Sequence, residues 1–187
     1  MLLGGPTQAR IAGGCSLVGG VTMRRALLAL ALSVVMTGAA LAGPFEDGAA
    51  AYDRNDYATA ARIWRPLAEQ GNALSQMYLG VMYERGRGVA QNAAEAARWY
   101  RLAADQGLPV AQYALGGMYA DGVGVPGDYV QAHLWLSLAA SRLAASGIRN
   151  NAVRNRDRIA GLMTPAQIAE ALRLAREWDT AHPRAQR

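Results

Sequence analysis

Side chains equipped for chemistry are sparse in this sequence, and their spacing excludes most of the reactions they are suited to. His133 and Ser137 stand four residues apart, which brings two side chains to one face of a helix, and a Ser–His pair is the beginning of a nucleophilic site. No third group at a readable spacing orients the imidazole, and no oxyanion loop follows, so the pair reads as a coincidence of helix faces. Gly122-Val123-Gly124-Val125-Pro126-Gly127 fits GxGxxG, a fingerprint that cradles pyrophosphate when it joins a strand to a helix. Here it follows a helical pattern, and the parallel loop at Gly86 lacks the third glycine, so no nucleotide is expected. The histidines are His133 and His182, the single cysteine is Cys15, and the acids are scattered singly, so neither a metal nor any other cofactor is expected.

Charge narrows the partner class. The formal balance of the 187 residues is +5, but Arg10, Arg24 and Arg25 precede residue 43 while all 14 acids follow it, leaving 16 minus 14, or +2, downstream. The one basic concentration, Arg142, Arg149, Arg154, Arg156 and Arg158, is broken by Asp157 and has no interleaved aromatics to stack on bases. It reads as a solvated helix face, and nucleic acid is not expected as a partner. Every basic residue is arginine.

The N-terminus reads as a targeting segment. From Met23 come Arg24-Arg25, an apolar run from Ala26 to Met36 and then Ala40-Leu41-Ala42, the charged, greasy and small-residue order of a secretory signal peptide. The run is shorter than the roughly 20 residues of a membrane span. Residues 23–42 are therefore expected to be a signal cleaved near Ala42, residues 1–22 an extension upstream of the true start, and the mature protein periplasmic or secreted with no membrane span and no cysteine.

An internal repeat organises the rest. Residues 72–107 align without gaps on 108–143 with 13 of 36 positions identical, including Gln76/Gln112, Leu79-Gly80/Leu115-Gly116, Met82-Tyr83/Met118-Tyr119 and Trp99/Trp135. Each repeat reads as two helices. Ser75, Leu79, Met82 and Tyr83 fall on one face of the first helix, as do Ala111, Leu115, Met118 and Tyr119, and Ala96, Trp99 and Ala103 mark the second. Gly80 and Gly116 each cost about 1 kcal/mol of helix propensity, which makes sense if a neighbouring helix approaches too closely for a Cβ. Glycine pairs at Gly86/Gly88 and Gly122/Gly124 reverse the chain, and Asn92 and Asp128 are placed to cap the helices that follow. Trp64 and Trp178 stand to fill space near the two ends as Trp99 and Trp135 do between helices.

Leu79-Gly80, Tyr83, Gly86-Arg87-Gly88-Val89, Ala96, Trp99-Tyr100 and Ala103-Ala104 resemble the Sel1-like repeat, a relative of the tetratricopeptide repeat, and the second copy departs mainly in Leu136 where Tyr100 stands. Tyr52 to Gly71 resembles a shortened opening repeat. Met163 to Ala171 resembles the closing helix of exported members, with Thr164 and Gln167 set as a capping box around Pro165. The expected fold is thus all-α, a short right-handed solenoid with an opening half-repeat at 43–71, repeats at 72–107 and 108–143, capping helices over 144–180 and a tail at 181–187. Some cysteine-rich exported members are described as binding or hydrolysing β-lactams. This chain lacks their disulfides and, having no lysine, any Ser-x-x-Lys.

The resemblance implies a partner-binding concave face. Opposite the buried stripe of the first helix a helical wheel places Met77, Val81 and Glu84, with Tyr113, Gly117 and Ala120 equivalent in the next repeat. Met77, Val81 and Tyr113 are more apolar than a wetted surface requires, which is what a groove for a peptide or helix needs; the competing expectation is that Ala166 to Trp178 covers them. The function read from the sequence is a non-catalytic adaptor or regulator in the bacterial cell envelope that binds a protein. An envelope enzyme or ligand-binding protein acting on cell-wall or β-lactam-type substrates is the alternative.

Overall fold

Among the described residues, six helices begin at a side chain that accepts a hydrogen bond from a free backbone N–H of the first turn. The caps are Asp56, Asn72, Asn92, Asp128, Ser146 and Thr164, the last closing a capping box with Gln167. The computed structural model describes residues 43–183, and these form α1 Pro44–Asp53, α2 Tyr57–Glu69, α3 Ala73–Arg85, α4 Ala93–Asp105, α5 Pro109–Asp121, α6 Tyr129–Arg142, α7 Gly147–Ala160 and α8 Pro165–Ala181. α1 and α5 lack a side-chain cap and start instead on proline, which has no N–H to leave unpaired. The expected signal segment, the extension before it with Cys15, and residues 184–187 lie outside the described residues.

Successive helices pack on one another from α1 to α7, and α8 returns onto α6. Among the described residues the fold is an all-α repeat solenoid. α3 with α4 and α5 with α6 are the two repeats read from the 36-residue period. The opening unit is also a helix pair, because α1 begins at Pro44, ahead of Tyr52 where the sequence similarity starts.

The helical glycines mark contact distance. A Cβ on Gly80 would stand 2.6 Å from the Tyr100 ring, and one on Gly116 would stand 2.8 Å from Leu136 Cγ. Tyr100 and Leu136 occupy the same repeat position, so the motif position at which the second copy departs is the one that fills the glycine notch. The second loop glycine closes the repeats lengthwise. Gly124, at φ +73°, lies so close to α4 that a Cβ would meet the Ala93 carbonyl oxygen at 2.1 Å, and Gly88 meets Tyr57 in the same way.

Two apolar clusters result. At the N-terminal end Trp64 is fully buried, stacked on Tyr78 with centroids 4.7 Å apart and donating from Nε1 to the Phe45 carbonyl oxygen at 3.1 Å. The larger cluster joins α4, α5 and α6 through Tyr100, Leu115, Trp135, Leu136 and Leu138 and takes in Ala152 and Ile159 of α7. Buried glutamines link helix to helix across the repeat boundary. Gln76 Nε2 donates to the Ala68 carbonyl and Gln112 Nε2 to that of Ala104, each a second donor to an acceptor in the last turn of the preceding helix that already takes a backbone N–H, from Gly71 and Gly107.

Candidate protein-binding groove

Five of the six candidate binding residues converge. Met77, Val81 and Glu84 on α3 and Tyr113 and Gly117 on α5 line one groove of about 530 Å³. The spacings explain the convergence. α3 and α5 are the first helices of consecutive repeats, and residues four and seven apart on each share a face. Ala120 lies just outside, in an adjoining depression of about 340 Å³ formed with Asp121, Gly122 and Asp128 at the head of the loop. Met77, Val81 and Tyr113 also rest on the larger cluster from above, so the groove floor is the outer surface of the core.

The terminal helix does not cover this groove. α8, which contains Ala166 to Trp178, packs on α6 instead, where Trp178 meets Trp135 edge to face at 6.1 Å. Arg142 fixes it there. Its side chain, 10% exposed, donates to Asp179 Oδ1 from Nη2 at 2.6 Å and to the His182 carbonyl at 2.8 Å, and its guanidinium lies 4.5 Å from the Trp178 ring centroid. α7 closes one side of the groove: Asn155 lines it and donates to the Tyr113 hydroxyl at 3.4 Å.

Polar order is concentrated at the loop end. The Tyr100 hydroxyl donates to Glu84 Oε2 at 2.7 Å, and burial, reinforced by that carboxylate, raises the phenol pKa well above its ordinary range. Tyr100 is therefore a neutral donor that fixes Glu84. The Gln91 side chain donates to the Glu84 carbonyl at 2.8 Å. Val110, Asp121, Asn155 and Tyr100 are lining residues that the helical wheel did not single out. Val110 and Asp121 lie three before Tyr113 and four after Gly117, so a wider wheel reaches them. Asn155 has no periodic signal at all, because it comes from a helix outside the repeats.

The chemical decoys resolve structurally. Ser137 Oγ lies 3.4 Å from His133 Nδ1 within α6, and the imidazole is 4% exposed, its pKa lowered by burial and then by Arg156. The GxGxxG loop joins two helices, and the α6 N-terminus, where a phosphate would sit, is taken by the Asp128 carboxylate accepting from the Val130 and Gln131 N–H groups. Among the described residues no three His, Cys, Asp or Glu side chains gather as a metal site, and no helix is long and apolar enough to cross a membrane. Of the basic concentration, Arg142 is paired as above, Arg149 donates to the Ala140 carbonyl and Arg156 pairs with Asp157.

Comparison with known proteins places this architecture. The family model of the Sel1 repeat matches residues 73–108 and 109–142, the helix pairs α3–α4 and α5–α6. No curated protein matches the chain. Among solved structures, a Sel1 repeat protein from Oxalobacter formigenes is 31% identical, with a TM-score of 0.55, over 72% of this chain and 98% of its own. The protein c5321, a protective antigen present in uropathogenic Escherichia coli strains and displaying an SLR fold, is 29% identical with a TM-score of 0.65 over 75% of this chain. This chain spans about a third, 32%, of that protein's length. A period, a fold and a relative matched over nearly its whole length agree: the chain belongs to the Sel1 repeat family, whose helical repeats serve protein–protein contact.

Proposed function

We propose that this protein is a non-catalytic adaptor or regulator of the bacterial cell envelope that holds a protein partner in the groove between α3 and α5. The observation that carries this reading is the apolar lining, which no other helix among the described residues covers. Met77, Val81 and Tyr113 face a groove that the terminal helix leaves open, although α8 is itself amphipathic and lies on the neighbouring α6. Apolar side chains lining a groove on a rigid helical floor are what an inserted peptide or helix uses as anchor sites. Placement in the envelope rests on the sequence from Met23 to Ala42.

The test is an affinity capture from crosslinked envelope fractions with protein expressed from Met23, comparing wild type with Met77→Asp and Tyr113→Asp variants shown by circular dichroism to be folded. One specific protein, retained by wild type and lost from both variants, is the expected result. Glycan or β-lactam retained in its place, with turnover of a chromogenic cephalosporin, would transfer the assignment to an enzyme or ligand-binding protein. Recovery of the protein in the cytoplasmic fraction with an intact N-terminus would remove the envelope assignment.

A further inference from the structure

The groove is electrically lopsided, and the inference drawn from this rests on the binding reading above. Glu84 and Asp121 stand in the last turns of α3 and α5, where the helix dipole already presents its negative end. A carboxylate there works against its own helix. Such a local violation, repeated on two consecutive repeats and facing one groove, marks a site kept for something other than stability. Neither acid takes part in an ion pair among the described residues, and neither does Arg85, the groove's one guanidinium. Two carboxylates against one guanidinium leave the lining with an excess of negative charge. The opposing dipole of α4, whose first residue Ala93 also lines the groove, is already answered by the Asn92 cap and by Glu95 in its first turn.

Glu84 is also held in place. Tyr100, 2% exposed, fixes its Oε2 and leaves Oε1 for an incoming group. A carboxylate held beforehand costs less to pair than one that must be ordered on binding. Along the same groove lie the apolar side chains of Met77, Val81 and Tyr113. We propose that the groove receives a segment of a partner protein carrying a lysine or arginine beside apolar anchors, with the cation at the loop end where Glu84 and Asp121 stand. An acidic segment meets the wrong sign there, and a wholly apolar one desolvates both carboxylates without supplying a counter-charge.

The experiment is a selection of short random displayed peptides on the purified protein, with enriched sequences resynthesised and titrated by fluorescence anisotropy. Enriched peptides are expected to pair Lys or Arg with large apolar residues and to be lost on Met77→Asp. Glu84→Gln combined with Asp121→Asn should weaken them about tenfold, and raised salt should do the same to the wild type but little to the double variant. Tyr100→Phe, which keeps the ring over Gly80 but releases Glu84, should cost about threefold. Peptides without basic residues, or binding that needs Met77 yet ignores the double variant, would overturn the charge inference and leave the groove standing. Enriched peptides insensitive to Met77→Asp, or none, would overturn both. A dimer in solution abolished by Met77→Asp would place a second copy in the groove and overturn the heterologous partner.

Discussion

One added methyl group at Gly80 separates packing from helix propensity. In an open helix alanine is favoured over glycine by about 1 kcal/mol. That gain is expected at Gly117, where a Cβ would have nothing within 4 Å. At Gly80 the same methyl would stand 2.6 Å from both Cδ1 and Cε1 of Tyr100, about 1 Å inside a normal carbon–carbon contact. The ring has little room to yield, being 2% exposed and tethered through its hydroxyl to Glu84. Overpacking of this kind costs about 1–3 kcal/mol, so Gly80→Ala should be destabilising by about 1 kcal/mol net. It should thus sit about 2 kcal/mol below Gly117→Ala. Urea unfolding followed by tryptophan fluorescence reads both, and in thermal melts the two variants should move in opposite directions by about 3 °C each. Removing the ring closes the cycle: in a Tyr100→Ala background Gly80→Ala should become neutral or stabilising, a coupling of about 2 kcal/mol. Equal stabilisation by Gly80→Ala and Gly117→Ala, or an unchanged effect without the ring, would refute the argument that Gly80 is there for helix approach.

His133 is buried with its pKa lowered, so the folded state resists the proton that the unfolded chain accepts. Stability should hold above the ordinary histidine value of 6.5 and fall as pH drops below it, with a slope approaching about 1.4 kcal/mol per pH unit until the folded-state pKa is reached. Arg156 opposes the charged form and Asp157 favours it; His133→Leu should flatten this limb in pH-dependent urea titrations, and an unchanged limb would assign it elsewhere. Arg142→Ala removes the pair with Asp179 and the guanidinium over Trp178, at a cost of about 2 kcal/mol. Hydrogen exchange should then quicken in α8 while α3 and α4 keep their protection; uniform loss of protection would show that α8 is not held separately by this contact.

Much of the groove was legible because it is built from repeats. Met77 and Tyr113 occupy one repeat position, Val81 and Gly117 the next, and a wheel drawn on either helix finds the pair. Ala120 missed the groove because Asp121, four residues after Gly117, takes the groove-facing position of that last turn, which leaves Ala120 in the adjoining depression at the loop. Tyr100 was visible as a motif residue, but its grip on Glu84 crosses 16 residues between antiparallel helices and has no counterpart at Leu136. The expectation that Ala166 to Trp178 covers the groove failed for a similar reason. Its amphipathic pattern shows that α8 must bury a face but carries no address.

The amino-acid sequence by itself determined what local rules govern. Caps at Asn92, Asp128 and Thr164 start helices by bonding their own first turns, and Gly86 and Gly122 end helices by adopting positive φ. The 36-residue period forces neighbouring units to bury like faces against one another. Tertiary structure decided what covers what. Arg142 reaches Asp179 across 37 residues and Asn155 reaches Tyr113 across 42, contacts with no period to announce them. They send α8 to α6, set α7 beside the groove and leave its apolar floor open, because the choice among several available apolar faces depends on where complementary charges and rings meet in space.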